Sequence, residues 1–438
     1  MVPYKYTFNK FATLTAMTVL VTMAWPSICR ASQLSDILVQ VEAHAPALQA
    51  AAAEAEAAKA QSLSVKGRYL GQLDIVGQTI HFDDDRLARP LAPPININAL
   101  PFDDSQYSYG VRGSLPLDIN GKITSSLSSA RSQAKASSAL SENTRLSILA
   151  SAATLYRSIQ DLIGQQDALQ KQIDALDAHI RVAEKAIKVG RIADVERLRL
   201  VSERESVRSI SARLNGTEQG LRARLGALMG EEQFIAKVSP AVNWPLSPVP
   251  QTGSLESRPD ITAAMARVEQ QHALARSAQA DRYPSLTVAV EWLDNQGYSS
   301  SNVDATWQVA LQAQLPVWDG GTRRKAVESA RLGKRAAEHQ LAALEESATA
   351  EVIAAEADWH SAQISHTAAR LALQAAEETA RIQADRFAAG RLSSADLVDA
   401  EAALARSRAS VSSAIANWWR ADNNWRLALG QTPADYQH

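Results

Sequence analysis

The chain carries one pattern twice, and that duplication limits its fold more than any other feature. Leu115-Pro116 through Gly121 returns as Leu315-Pro316 through Gly321, and Ser129-Ala130-Arg131 returns as Ser329-Ala330-Arg331. Gly190-Arg191 returns as Gly390-Arg391, and Gly230 as Gly430. All four matches share an offset of 200 residues, so the copies stay in register without a gap over most of their length. Self-similarity at a fixed offset marks two structural units of one kind. Upstream, Tyr69 corresponds to Tyr283 at an offset of 214, which makes the first copy 14 residues longer there. The extra residues fall in Phe82–Gln106, whose Pro, Asp and Asn content predicts a loop. Asp83-Asp84-Asp85 and Asp103-Asp104 are expected on that loop as solvated charge. A connector at 231–257, with Pro240, Pro245, Pro248 and Pro250, separates a first repeat at 32–230 from a second at 258–430. A tail at 431–438 follows.

Each copy alternates two kinds of structure after an initial helix. No proline lies between Pro116 and Pro240 or between Pro316 and Pro433, and both stretches are dense in strong helix formers. They predict long helical hairpins over 121–230 and 320–430. Leu155, Ile159, Leu162, Leu169, Ile173, Leu176, Ile180, Ala183 and Ile187 follow a 4-3 spacing broken only at Gln166. That is a heptad seam, which implies supercoiled packing. Gly121 to Val189 is 69 residues, about 100 Å as a helix. An ordinary globular core has no use for such a length. Trp418, Trp419 and Trp425 fall on the last helix and are expected to pack against its neighbours.

The second kind is strand. Leu286, Val288, Val290 and Trp292 alternate with Ser285, Thr287, Ala289 and Glu291. Trp307, Val309, Leu311, Ala313 and Leu315 alternate with Thr306, Gln308, Ala310, Gln312 and Gln314. Tyr107, Tyr109, Val111 and Leu115 do the same against polar neighbours, and Leu73 and Ile75 more weakly. Four strands follow, near 70–80, 106–117, 285–293 and 305–317, each with one apolar face. Such strands suit an outer-membrane barrel with a wet interior, with Tyr69, Tyr283 and Trp318 at strand ends as an aromatic girdle. A small soluble antiparallel sheet alternates in the same way.

Lys5 and Lys10 precede an apolar run from Phe11 to Trp25, then Pro26 and small residues to Ala31. This reads as a secretory signal peptide over 1–31; the alternative is an uncleaved anchor, for which the run is short. Ile28 before Cys29 is a poor lipidation context, so cleavage after Ala31 is expected. Those 31 residues hold Lys5, Lys10 and Arg30 and no acid, so their removal takes the net charge from −2 to −5 and leaves no cysteine. The charge excludes a strongly basic nucleic-acid binder. A single Cys excludes a disulfide scaffold and a thiolate zinc site. The mean hydropathy of −0.19 argues against a polytopic helical membrane protein, and entry into a membrane would require a barrel. Four strands cannot close one, and an open edge in lipid leaves backbone groups unpaired at several kcal/mol each. Copies of the chain must therefore combine. Two give eight strands and little lumen; three give twelve and an aqueous path.

This arrangement resembles the TolC-like outer-membrane efflux family across essentially the whole mature chain. The residues that carry the likeness are the tandem repeat and the strand-to-helix signatures Leu115-Pro116-Leu117…Gly121 and Leu315-Pro316-Val317-Trp318-Asp319-Gly320-Gly321. The hairpin signatures at Gly190-Arg191 and Gly390-Arg391-Leu392-Ser393-Ser394-Ala395-Asp396-Leu397-Val398-Asp399-Ala400 complete it. The resemblance implies an α+β membrane protein: a homotrimeric twelve-stranded β-barrel continuous with a long α-helical coiled-coil periplasmic tunnel. It implies an outer-membrane channel of a tripartite efflux or type I secretion system, without cofactor. Its partners would be a periplasmic adaptor protein and an inner-membrane pump. Leu286, Val288, Val290, Trp292, Trp307, Val309 and Leu311 would then face lipid.

Gly190 and Gly390 each end a long helix and permit the left-handed turn that reverses the chain. Asp396 and Asp399, spaced i, i+3, share a helix face. In the resembling family, acids at these steps ring the periplasmic entrance; three chains would bring six carboxylates together and attract cations. Ser393-Ser394-Ala395-Asp396 equally fits a capping box, an alternative that does not reach Asp399. Glu196 holds the six-step site of the first copy and Arg199 the nine-step site, where it is able to pair with a neighbouring carboxylate and lock the entrance. Arg391 is a second candidate for that role, although gating cations of the family often sit one step later, at this chain's Leu392. His360 and His366, six apart, do not align as metal ligands; His366 falls at the seam position of Gln166 and reads as a core polar residue. No nucleophile–base arrangement, phosphate loop or HExxH motif points to an enzyme. The competing reading is a periplasmic coiled-coil adaptor or scaffold that never enters the membrane.

Overall fold

The computed structural model describes residues 34–87, 94, 102–232, 234, 235, 237, 238, 255–298 and 304–436. The signal-peptide segment 1–31 and most of the 231–257 connector lie outside the described residues. Helices α1 (Leu34–His44) and α2 (Pro46–Gly67) open the chain. They are separate because Pro46 starts the second helix at N1 and holds Ala45 extended, at ψ 119°. Strands β1 (Gln72–Leu87) and β2 (Phe102–Leu117) follow, then α3 (Lys122–Lys188) and α4 (Asp194–Met229). The second repeat gives α5 (Pro259–Ala280), β3 (Ser285–Gly297), β4 (Asp304–Gln314), α6 (Thr322–Ala388) and α7 (Ser394–Ala428). At 67 residues each, α3 and α6 are about 100 Å long. No helix among the described residues is long and apolar enough to cross a membrane.

One correction concerns the inserted segment. Phe82–Gln106 is not a plain loop: β1 runs to Leu87 and β2 begins at Phe102, so the acidic runs lie at strand ends. Pairing overrides turn-like composition here, with a register shift between His81 and Arg86 absorbing the irregularity.

The four strands form one antiparallel sheet in the order β1-β2-β3-β4. Each repeat supplies a hairpin, and β2 joins β3 across the repeats. Register aligns the apolar residues in transverse rows: Ile75–Val111–Trp292–Trp307, Leu73–Gly113–Val290–Val309, and Leu115–Val288–Leu311. Period-2 alternation then puts Leu286, Val288, Val290, Trp292, Trp307, Val309 and Leu311 on one face and the polar partners on the other. Among the described residues, neither β1 nor β4 is paired on its outer side. Ile75 on β1 is 90% exposed and Trp307 on β4 76% exposed.

Below the sheet the helices lie side by side. α3 packs on α2 and α5 near the sheet and on α4 and α7 farther away, while α6 packs on α5 and then α7. Both long helices start alike. Asp118 accepts the backbone N–H groups of Ile123 and Thr124, each at 2.8 Å. Asp319 accepts those of Gly321 at 2.9 Å and Arg323 at 3.0 Å. Midway along α3 an apolar cluster gathers α1 (Ile37, Leu38, Val41), α3 (Leu149, Tyr156, Ile159) and α4 (Leu225, Met229). The tail closes over it: Asp435 accepts from Arg157 at 2.6 Å, and Tyr436 bonds Glu42 and Arg145. Trp359 of α6 meets Trp418 and Trp425 of α7 at ring distances of 5.9 and 5.5 Å. The lower seam buries Ile173, Leu176, Ile180 and Ala183 against Leu200 and Val207 of α4 and Leu397 of α7. Its break has a local cause: Gln166 donates to Glu218 of α4 at 3.0 Å, a polar bond where the heptad asks for an apolar residue.

Candidate functional site

The ends of the two hairpins, farthest from the sheet, carry Glu196, Arg199, Arg391, Asp396 and Asp399. Both turns use one backbone device. Gly190 and Gly390 have φ of +71° and +69°. The Gly190 N–H bonds the Ile187 carbonyl and the Arg191 N–H that of Ala186, each at 2.9 Å; Gly390 and Arg391 repeat this on Phe387 and Arg386 at the same distances. This is a Schellman cap, in which a left-handed glycine lets the helix end satisfy its own carbonyls.

The returning helices begin differently. α7 has Ser393 at its N-cap, whose hydroxyl accepts the Asp396 N–H at 3.2 Å and donates to the Asp396 carboxylate at 2.7 Å. Asp396 therefore does cap the helix, yet its carboxylate stays exposed beside that of Asp399. Asp399 accepts no hydrogen bond within the described chain and points into solvent. Capping and an exposed carboxylate are thus compatible at Asp396, while Asp399 takes no part in the cap.

α4 starts at Ala193, which offers no side-chain cap. Its Glu196 instead crosses to the other hairpin, and its Oε2 accepts the Ser394 N–H at 2.8 Å. One hairpin thus caps the other. Hydrogen bonding from Ser394, assisted by the Arg199 charge, holds the Glu196 carboxyl below the usual glutamate range. Arg199 is exposed, and among the described residues it enters no ion pair; the same holds for the Arg391 side chain.

A second tie was not foreseen. His179 of α3 and Glu401 of α7 meet at 2.8 Å, both largely covered, with the Phe387 ring edge-on to the imidazole at 6.3 Å. A sequence signal exists for it. His179 precedes Gly190 by eleven residues and Glu401 follows Gly390 by eleven, and residues equally far from two level turns stand at one height. Asp177 and Arg204, nearly equidistant from Gly190, pair at 2.8 Å for the same reason. Among the described residues no group of His, Cys, Asp and Glu is arranged to hold a metal. What the site offers is an array of fixed charges on two tied hairpins.

The model of the family described as outer membrane efflux protein matches residues 37–231 and again 253–431, once per repeat, and the chain belongs to that family. Solved channels share its fold. The outer-membrane channel OprN superposes with a TM-score of 0.79 at 20% identity, over 92% of this chain and 90% of that one. The Campylobacter jejuni CmeC outer membrane channel gives 0.80 at 17% identity, over 92% and 86%. VceC from Vibrio cholerae gives 0.78 at 20%, over 91% and 96%. No curated protein sequence matches this chain. The protein is an outer-membrane efflux channel, with a strand region for the membrane and a helical periplasmic tunnel. The reading as a membrane-free adaptor is set aside, because both repeats match a channel family and each contributes a hairpin to the sheet.

Proposed function

We propose that three copies close a single twelve-stranded barrel and form a passive export duct. It takes substrates from an inner-membrane pump through a periplasmic adaptor and carries out no chemistry of its own. The observation that carries this reading is the sheet's two open edges beneath one continuous apolar face. β1 and β4 run antiparallel, so β4 of one copy is matched in direction to β1 of the next, and repetition around an axis removes every edge. Trp307 to Leu315 covers about 27 Å along the strand. Tilted as barrel strands are, that is about 20 Å of height, and the girdle positions Tyr283 and Trp318 bring it near the ~25 Å apolar band of such barrels. Leu286, Val288, Val290, Trp292, Trp307, Val309 and Leu311 then face lipid.

At the other end, Asp396 and Asp399 of three chains surround the entrance as a cation-attracting rim. Arg199 and Arg391, which enter no ion pair among the described residues, would reach carboxylates of the next copy and hold the entrance narrow. Detergent-purified protein should run as a heat-modifiable trimer and conduct in planar bilayers. Replacing Asp396 and Asp399 by Ala should lower cation preference, read as a shifted reversal potential in a salt gradient. A strictly monomeric, non-conducting protein would refute the duct, and an unshifted potential the rim.

A further inference from the structure

The polar face of the sheet carries a transverse row of charge that the entrance does not explain. Register places Asp74 opposite Arg112, Arg112 opposite Glu291, and Glu291 opposite Gln308, one residue from each strand on the face away from the apolar rows. Arg112 grips Glu291 with Nη2 at 2.6 Å and Nε at 3.0 Å, and Gln308 donates to the second oxygen of the same carboxylate. Among the described residues, Asp74 accepts only from Gln72, at 2.8 Å. Below it, the rows Gln72–Ser114–Ala289–Ala310 and Pro116–Thr287–Gln312 are uncharged; so is Val76–Gly110–Leu293–Thr306 above it. The charged row lies directly behind Ile75–Val111–Trp292–Trp307, so it sits within the height of the apolar band.

We infer that this row is a second selectivity belt, inside the barrel, that concentrates small cations independently of the entrance. The inference rests on the three-copy barrel proposed above. Arg112 and Glu291 cancel, so each chain contributes to this row the single uncompensated charge of Asp74. Twelve strands about 4.8 Å apart and tilted by about 40° enclose a backbone diameter of about 24 Å. An Asp side chain reaches about 3.5 Å from its Cα, which leaves the Asp74 carboxylates about 8 Å from the axis. That is close to the Debye length of about 8 Å at 0.15 M salt. Screened attraction by three such charges raises the local cation concentration about two- to threefold at 0.15 M, and hardly at all at 1 M, where the screening length is near 3 Å.

The arrangement predicts opposite signs from two neutralising substitutions. Asp74→Asn removes the belt's net charge. Arg112→Gln releases Glu291 and doubles that charge, while Arg112→Lys keeps it. All three are placed on the Asp396→Ala, Asp399→Ala background, so that the entrance does not dominate, and are recorded as single channels in planar bilayers in KCl gradients. At about 0.15 M the K⁺ over Cl⁻ permeability ratio should fall severalfold with Asp74→Asn, rise severalfold with Arg112→Gln, and stay unchanged with Arg112→Lys. The differences should collapse at 1 M. Channels whose ratio is the same in all variants, or shifts in one direction with both neutralisations, would overturn the belt and leave Arg112–Glu291 as a cross-strand tie. Absence of channels from the parent protein would instead overturn the duct itself.

Discussion

The two hairpin ends share a backbone and differ in chemistry. Gly190 and Gly390 make the same cap with the same bond lengths, so duplication preserved the turn to the level of individual carbonyls. The first residues of the returning helices then diverge. The second copy has Ser393 to cap α7 and leaves Asp396 and Asp399 exposed. The first copy lacks a capping side chain at Ala193, and its Glu196 serves the other hairpin through Ser394. In the proposed duct, one end serves as a latch and the other as a charged rim. The backbone is held constant because only glycine takes a φ near +70° without strain; the side chains are free to specialise because they project past that frame.

The strongest test of the shared frame is to break it on each side. Gly190→Val and Gly390→Val each force a β-branched residue into the left-handed region, at a cost of about 1–2 kcal/mol or more. Nothing lies within 4 Å of the added Cβ at either position, so the penalty is backbone strain rather than a clash. Both variants should lower the temperature at which the oligomer dissociates on a gel, by similar amounts. A clear inequality would show that the ends are not equivalent as backbone.

A smaller effect separates latch from rim. Glu196→Ala leaves the Ser394 N–H without its acceptor, a loss of about 1 kcal/mol by analogy with other N-terminal caps. It should raise single-channel conductance with little change in ion preference. Asp399→Ala should do the reverse, shifting the reversal potential and leaving the turn intact. If both substitutions changed the same quantity, the division of labour between the ends would fail.

The same contrast shows what a sequence discloses. The 200-residue offset, the proline-free stretches and the alternating strands expose the repeat, the hairpins and the apolar face, because each is a local periodicity. Gly190 and Gly390 stand out since a left-handed turn demands that residue. Phe82–Gln106 reads wrongly because its Asp and Pro content is turn-like, whereas strand extension there is decided by pairing with another segment. Glu196–Ser394 and His179–Glu401 join residues 198 and 222 positions apart. Neither carries a local signal; only heights measured from the two glycines bring them together. The Arg112–Glu291 tie is hidden likewise until register fixes which residues of β2 and β3 are opposite.

The mildest perturbation of the latch is a proton. Glu196 has its carboxyl lowered below the ordinary 4.5 by hydrogen bonding from Ser394. Its charged-form contribution is therefore complete above that value and is lost as the pH falls through the lower folded-state value. A protonated carboxyl still presents one carbonyl oxygen to the Ser394 N–H, so acid weakens the latch less than Glu196→Ala does. Conductance should climb modestly as the pH is taken from 5 to below 4, and Glu196→Gln should flatten that climb while retaining an acceptor for the bond. A climb that persists unchanged in Glu196→Gln would show that the latch is not the part of the duplicated frame that responds to acid.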